Sequence, residues 1–302
     1  MDNNNNENNN ENNNENNILN PYNKNNNLIT MKDVQEIFKK VDLTLTPNNM
    51  KYYILSLIHK SYTKSNNYEL SKCKKNTEYI LANKSKDCLD LFDKHNEKYE
   101  FLGDRVIDAI VVENIFNRYN NTNADEGFMT KLKTRLVKTD TLAMFSKFLG
   151  LDKYLMISNH MEQVCNGRTN KNILENTFEA FICAVFLDFN SIDICYNNIN
   201  INLGYEICKN IITYLLDNLI DFEDIVMNDD NYKDIILRYF QQNYHITPKY
   251  SVLNEDGPPH KRTYRVGIYD QNNKLIGEGE GNSKKTAEQM ASKNGLITIG
   301  HF

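Results

Sequence analysis

From Met31 onward apolar residues recur at helical spacing, with Val34, Ile37, Phe38 and Val41 falling on one stripe. Asn48 and Asn49 stand where a cap would open a second helix running through Ser61. Further helical periodicity covers 97–119, 125–148 and 171–189, with a short element at Leu151–Leu155 and another helix over 203–220. No strand pattern appears before residue 245. Beyond it the period changes. Tyr232–Tyr244 reads as a helix whose apolar face is Ile235, Ile236, Tyr239 and Phe240. Lys249–Leu253, Arg262–Tyr269 and Leu275–Gly281 read as short strands, separated by Gly-Pro-Pro at 257–259 and by Asp-Gln-Asn-Asn at 270–273. Ser283 is placed to cap a last helix, Lys284–Gly295. The pattern predicts a mainly α chain that ends in a compact α-β-β-β-α unit.

Composition sharpens the boundaries. Seventeen of the first 27 residues are Asn, so 1–27 reads as a disordered tail with nothing apolar to offset the entropy of ordering. A first domain spans 28–222 and carries a Lys- and Asn-rich insertion at 66–95. A polar, acidic linker at 223–230 leads to a second domain, 231–302. Length alone suggests about two domains. The six cysteines show no CxxC and no zinc spacing, which reads as reduced thiols in an intracellular, cytoplasmic protein. The most apolar stretch, Phe178–Phe189, is short and carries Glu179 and Asp188, so no membrane span is expected. The formal net charge of -5, taken as one number, argues against a polyanion partner.

The segment from Asn96 to Asp104 changes that picture. On a helix Glu97, Glu100 and Asp104 share one face, with Phe101, Leu102, Ile107 and Ile110 on the other. Asn176 and Glu179 form a second pair at i, i+3 beside an apolar run. Crowded carboxylates repel each other unless cations stand between them. Hard oxygen donors suit Mg²⁺, which takes one or two carboxylates together with substrate phosphate oxygens, an arrangement for metal-assisted phosphodiester hydrolysis. Spacing leaves a second reading open, that of two amphipathic helices with solvated acidic faces.

The run Glu97-Lys-Tyr-Glu-Phe-Leu-Gly-Asp104 resembles the signature of the ribonuclease III family. Leu57-Ile-His-Lys-Ser-Tyr62, Asp125-Glu-Gly127 with Lys131–Val137, and Ile173–Asp188 resemble its companion segments in the family's order. The resemblance implies an all-helical ribonuclease III-type nuclease domain in which Glu100, Asp104, Asn176 and Glu179 hold the metal, Asp104 and Glu179 being catalytic. It makes Glu97 an outer acid and Glu126 a supporting one. Asn176 departs from the commoner Asp and removes one negative charge, and Arg105 replaces a usually small residue, facing either phosphate or solvent. The implied cofactor is Mg²⁺, with Mn²⁺ as a substitute. Implied too are a homodimer, with Phe101 at the seam or in the core, and short 3′ overhangs from one cut per strand. His59, which resembles a general base, reads as a structural hydrogen-bonding residue.

Residues 231–300 resemble a double-stranded RNA-binding domain, through Gly257–Val266 and Gly277–Ala291. A-form RNA is gripped by shape, across minor grooves and the phosphates between them. The resemblance assigns RNA contacts to His260, Lys284 and Lys285, with Gln241 or Gln242 as weaker candidates. A helix start at Lys284 would add free N–H groups and a favourable dipole. The expected activity is Mg²⁺-dependent cleavage of double-stranded RNA; the rivals are a duplex-binding protein that sequesters RNA and a DNA-directed nuclease. The charge now divides sensibly, at +3 over residues 231–302 and -8 over the remainder. An Asn-rich start also fits an A- and T-rich genome, such as that of a large DNA virus.

Overall fold

The computed structural model describes residues 18–67, 80–122, 124–190, 194–196, 199–222, 232–258 and 262–301. The chain divides into two units, Met1–Asp221 and Phe222–Phe302. The expected linker at 223–230 lies outside the described residues.

In the first unit the strand β1 (Ile18–Leu19) precedes helices α1 (Met31–Lys39) and α2 (Met50–Ser56). The strand β2 (Ile80–Leu81) follows and pairs in parallel with β1. Helices α3 (Glu97–Tyr119), α4 (Glu126–Leu136), α5 (Thr139–Leu149), α6 (Asn159–Gln163) and α7 (Lys171–Asn190) come next. The unit closes with the hairpin pair β3 (Ile194–Tyr196) and β4 (Ile199–Ile201), then helix α8 (Gly204–Leu219). Thr30 and Asp33 form a reciprocal capping box on α1, which buries Val34, Ile37 and Phe38. The centre is α7, where Phe178, Ala180, Phe181, Ile182, Ala184 and Val185 are fully buried. A helix apolar nearly all round belongs inside a core. Its one fully buried acid, Asp188, accepts from the backbone N–H groups of Asn48 and Asn49 at 2.9 and 2.7 Å and from the Tyr53 hydroxyl at 2.8 Å. A buried carboxylate satisfied this way pins the start of α2 to α7.

Four details differ from the sequence pattern. The helix expected over 125–148 is two helices, because Lys138 takes an extended conformation, and the break lets both halves bury their stripes: Leu132 and Leu136 from α4, Leu142, Ala143, Phe145 and Leu149 from α5. The second helix, expected to reach Ser61, ends at Ser56, since the Leu57 carbonyl and the His59 N–H pair with the backbone of Met156 at 2.8 and 3.0 Å. Short ladders exist before residue 245. Finally, the expected tail is built into the domain from residue 18. The Asn23 and Asn26 amides both donate to the Ile157 carbonyl, at 3.2 and 3.0 Å, and Asn26 Oδ1 accepts from the Ile157 N–H. A side-chain amide carries donor and acceptor together, so it can pair both groups of an otherwise unladdered backbone residue. Of the insertion, the end nearest α3 is anchored: Leu91 is buried and Phe92 pairs with Thr63.

The second unit runs α9 (Tyr232–Tyr244), β5 (Lys249–Asp256), β6 (Thr263–Tyr269), β7 (Leu275–Gly281) and α10 (Lys284–Thr298). The strands form one antiparallel sheet in the order β5-β6-β7. Ile236, Phe240, Ile268, Ile276, Ala291 and Leu296 make its core. Helix α10 lies almost on the backbone of β7: a Cβ on Gly279 would fall 2.2 Å from the Ala291 nitrogen. The mainly α architecture with a terminal α-β-β-β-α unit is therefore the observed fold.

Candidate active site

Helices α3 and α7 cross where α3 has no side chain. A Cβ on Gly103 would stand 1.8 Å from the Glu179 carbonyl oxygen, so only glycine admits this approach. The crossing fixes which acids meet. Glu100 and Asp104 flank Gly103 on α3, while Glu175 and Glu179 lie one turn apart on α7.

Glu179 is 8 % exposed, and among the described residues no hydrogen bond or ion pair neutralises its carboxylate. Burial, then the charges of Asp104, Glu175 and Glu100, push its pKa up to about 8, with Arg105 opposing. Glu100 is raised by burial and then by Glu97. Glu175 is raised chiefly by burial, against a hydrogen bond from Thr139 that favours its charged form. Glu97 is different: its ion pair with Lys60, 2.9 Å, holds it low. Asp104 pairs with Arg105, which also reaches Asp108 at 3.4 Å; Lys133 holds Asp108 at 2.7 Å.

The structure thus brings Glu100, Asp104 and Glu179 into mutual electrostatic reach, and Asn176 lies half-buried on α7, three residues before Glu179. Glu126 stands exposed in the first turn of α4 and is not among the charges perturbing these acids. Sequence reasoning passed over Glu175, although its i, i+4 relation to Glu179 was the signal that could have found it. Arg105 turns to the acids of α3. His59 is a cap, not a base: its Nδ1 accepts from the Ser61 N–H at 3.2 Å, and burial lowers its pKa to about 4. Cys88, Cys165, Cys183 and Cys208 are free.

Among the described residues no three His, Cys, Asp or Glu side chains converge closely enough to hold an ion as they stand. The donor chemistry nonetheless fits a hard divalent cation. The donors are carboxylate oxygens, one is buried without an ion pair among the described residues, and Asp104 is paired with an exposed Arg105. Phe101 projects from the same turn, 74 % exposed, and Val112 and Phe116 continue an exposed apolar stripe along α3.

In the second unit Ser283 caps α10 by accepting from the Thr286 N–H at 3.2 Å. Lys284 and Lys285 occupy its exposed first turn, Lys284 lying 3.1 Å from Glu255 and 5.5 Å from the centre of the Tyr264 ring. Gln241 and Gln242 are exposed near the end of α9. His260 lies outside the described residues. Among those described, no helix is long and apolar enough to cross a membrane.

Residues 49–199 match the Ribonuclease-III-like family and residues 232–299 the double-stranded RNA binding motif. The chain is 32% identical over 274 residues to "Probable ribonuclease 3" of Acanthamoeba polyphaga mimivirus, covering 90% of this chain but only 46% of that protein's length. It is 30% identical over 275 residues to "Ribonuclease 3" of Clostridium perfringens, covering 90% of this chain and 97% of that protein. The nuclease domain of Campylobacter jejuni ribonuclease III aligns with 64% of this chain and 99% of its own, at 22% identity and a TM-score of 0.44.

Proposed function

The chain belongs to the ribonuclease III family and carries its nuclease and double-stranded RNA-binding domains, and from this premise we propose a Mg²⁺-dependent endoribonuclease that cuts both strands of duplex RNA and leaves short 3′ overhangs. The observation that carries the reading is Glu179, a buried carboxylate without a partner, facing Asp104 and Glu100 across the Gly103 crossing. Glu100, Asp104, Asn176 and Glu179 would hold the ion, and Mn²⁺, with similar oxygen preference, would substitute. When bound, the ion activates water and steadies the departing oxygen. Asp104 and Glu179 would orient it, Glu179 giving up its proton as the ion binds. Glu97, held by Lys60, acts as an outer acid, and Glu126 as a support from α4.

The RNA-binding role falls to Lys284, Lys285 and His260. The two lysines sit where the free N–H groups of the α10 first turn also favour phosphate. A homodimer joined through Phe101, Val112 and Phe116 would cover an exposed apolar stripe and set two sites on one duplex. The mimivirus relative fits an origin in a large DNA virus and work in the cytoplasm of a host. Incubating the full chain with duplex RNA or duplex DNA, in Mg²⁺ or in EDTA, tests the reading. Short RNA duplexes formed only with Mg²⁺ support it; RNA retained but uncut in Mg²⁺ would favour a sequestering protein.

A further inference from the structure

Asn176 is neutral, yet the residue before it is an acid that the crossing turns toward the same carboxylates. We propose that Glu175 is a further acid of the metal centre, supplying the negative charge that Asn176 lacks. The inference rests on the metal-site reading above. Three observations carry it.

First, Glu175 lies one turn before Glu179 on α7, and the Gly103 contact fixes α3 against that stretch of helix. Its charge acts on both Glu179 and Glu100, and that of Asp104 acts on it in return. Glu175 therefore faces the site, with one acid from the same helix and two from the other. Second, Glu175 is held there. Thr139, at the start of α5, hydrogen-bonds its carboxylate, and the neighbouring Asp140 is itself occupied by Lys171 at 2.5 Å. Among the described residues no lysine or arginine forms an ion pair with Glu175, so its charge is left for something else. Third, Glu179 points to a ligand independently of Glu175: a carboxylate 8 % exposed with no hydrogen bond or ion pair among the described residues is stable as an anion only beside a cation.

The opposing case is that Glu175 is a solvated acid on the rim of α7. A rim acid would be exposed, whereas Glu175 is only partly so and is fixed by a side chain from a third helix. The Arg105 contact adds a further reason for an extra acid. While Asp104 is paired with Arg105 its charge is partly neutralised, which leaves Glu100 and Glu175 as the carboxylates near Glu179 without an ion pair among the described residues.

The test uses the full, RNA-free chain and Mn²⁺ as the probe, titrated by electron paramagnetic resonance or calorimetry, with the far-UV circular dichroism of each variant compared to establish folding. Glu175→Gln should weaken Mn²⁺ about tenfold or more, the range seen when groups supporting a metal site are removed. Adding Asn176→Asp to Glu175→Gln should return the affinity to within about twofold of the parent. An unchanged Kd in Glu175→Gln would overturn the proposal, as would a double variant that stays as weak as the single one. Glu179→Gln separates this from failure of the underlying reading. If Glu179→Gln binds Mn²⁺ like the parent, the whole site assignment falls; if it alone loses binding, only the role of Glu175 does. Cleavage gives a second readout, with Glu175→Gln requiring several-fold more Mg²⁺ for half-maximal rate.

Discussion

At the crossing of α3 and α7 like charges are pressed together and one is buried without a partner; at the start of α10 the charges of Lys284 and Lys285 lie in water, and Lys284 already leans on Glu255. Burial makes the first group depend on a ligand for its charge state, so that removing one acid should alter chemistry. Exposure makes the second a set of screened contacts whose loss costs affinity in proportion. One chain thus carries an acidic region whose donors suit a cation and a basic one suited to a polyanion. That explains why a net charge of -5 is no argument against RNA.

The comparison breaks most sharply at the acids. Asp104→Asn or Glu179→Gln should abolish cleavage of duplex RNA, by a factor of about a thousand or more, with binding of uncut RNA retained. Gel shift and product sizing on the same sample check both halves. Gly103→Ala comes next. Its Cβ would meet the Glu179 carbonyl at 1.8 Å, so the helices must separate, and a stability loss of about 3 kcal/mol or more should accompany loss of activity. Chemical denaturation measures the first and the cleavage assay the second.

On the basic side, changing Lys284 and Lys285 together to Ala should weaken RNA binding and lower the salt dependence of log K by roughly one unit per lysine. Cleavage at saturating RNA should persist, and a fall in the saturating rate instead would merge the two regions. A further test concerns pH. Glu179 titrates near 8 in the fold against an ordinary value of 4.5, so the metal-free folded chain keeps a proton that the unfolded chain releases. Stability should therefore fall as pH rises from 4.5 to 8, at a limiting slope of about 1.4 kcal/mol per unit. Thermal melts in EDTA across that range check the sign, and added Mg²⁺ should flatten the curve.

The legible parts were those where period and chemistry agree. Helix α3 runs over the residues expected, as does α9, and the terminal unit has the predicted order because Gly-Pro-Pro and Asp-Gln-Asn-Asn punctuate its sequence. What escaped had no local signal. The break between α4 and α5 contains neither Gly nor Pro, and tertiary burial alone places it at Lys138. Asn23 and Asn26 look like any others in the tail, yet their amides pair a backbone residue far along the chain. Glu175 is the exception: its i, i+4 spacing to Glu179 is a local signal, but one that a solvated helix face shares.

The most direct test of the account is a Mn²⁺ titration of the full, RNA-free chain alongside Glu179→Gln and the Lys284→Ala, Lys285→Ala double variant. Saturable binding is expected of the parent and the lysine variant, weakened at least tenfold in Glu179→Gln. Equal binding by all three, or no binding by the parent, would contradict it.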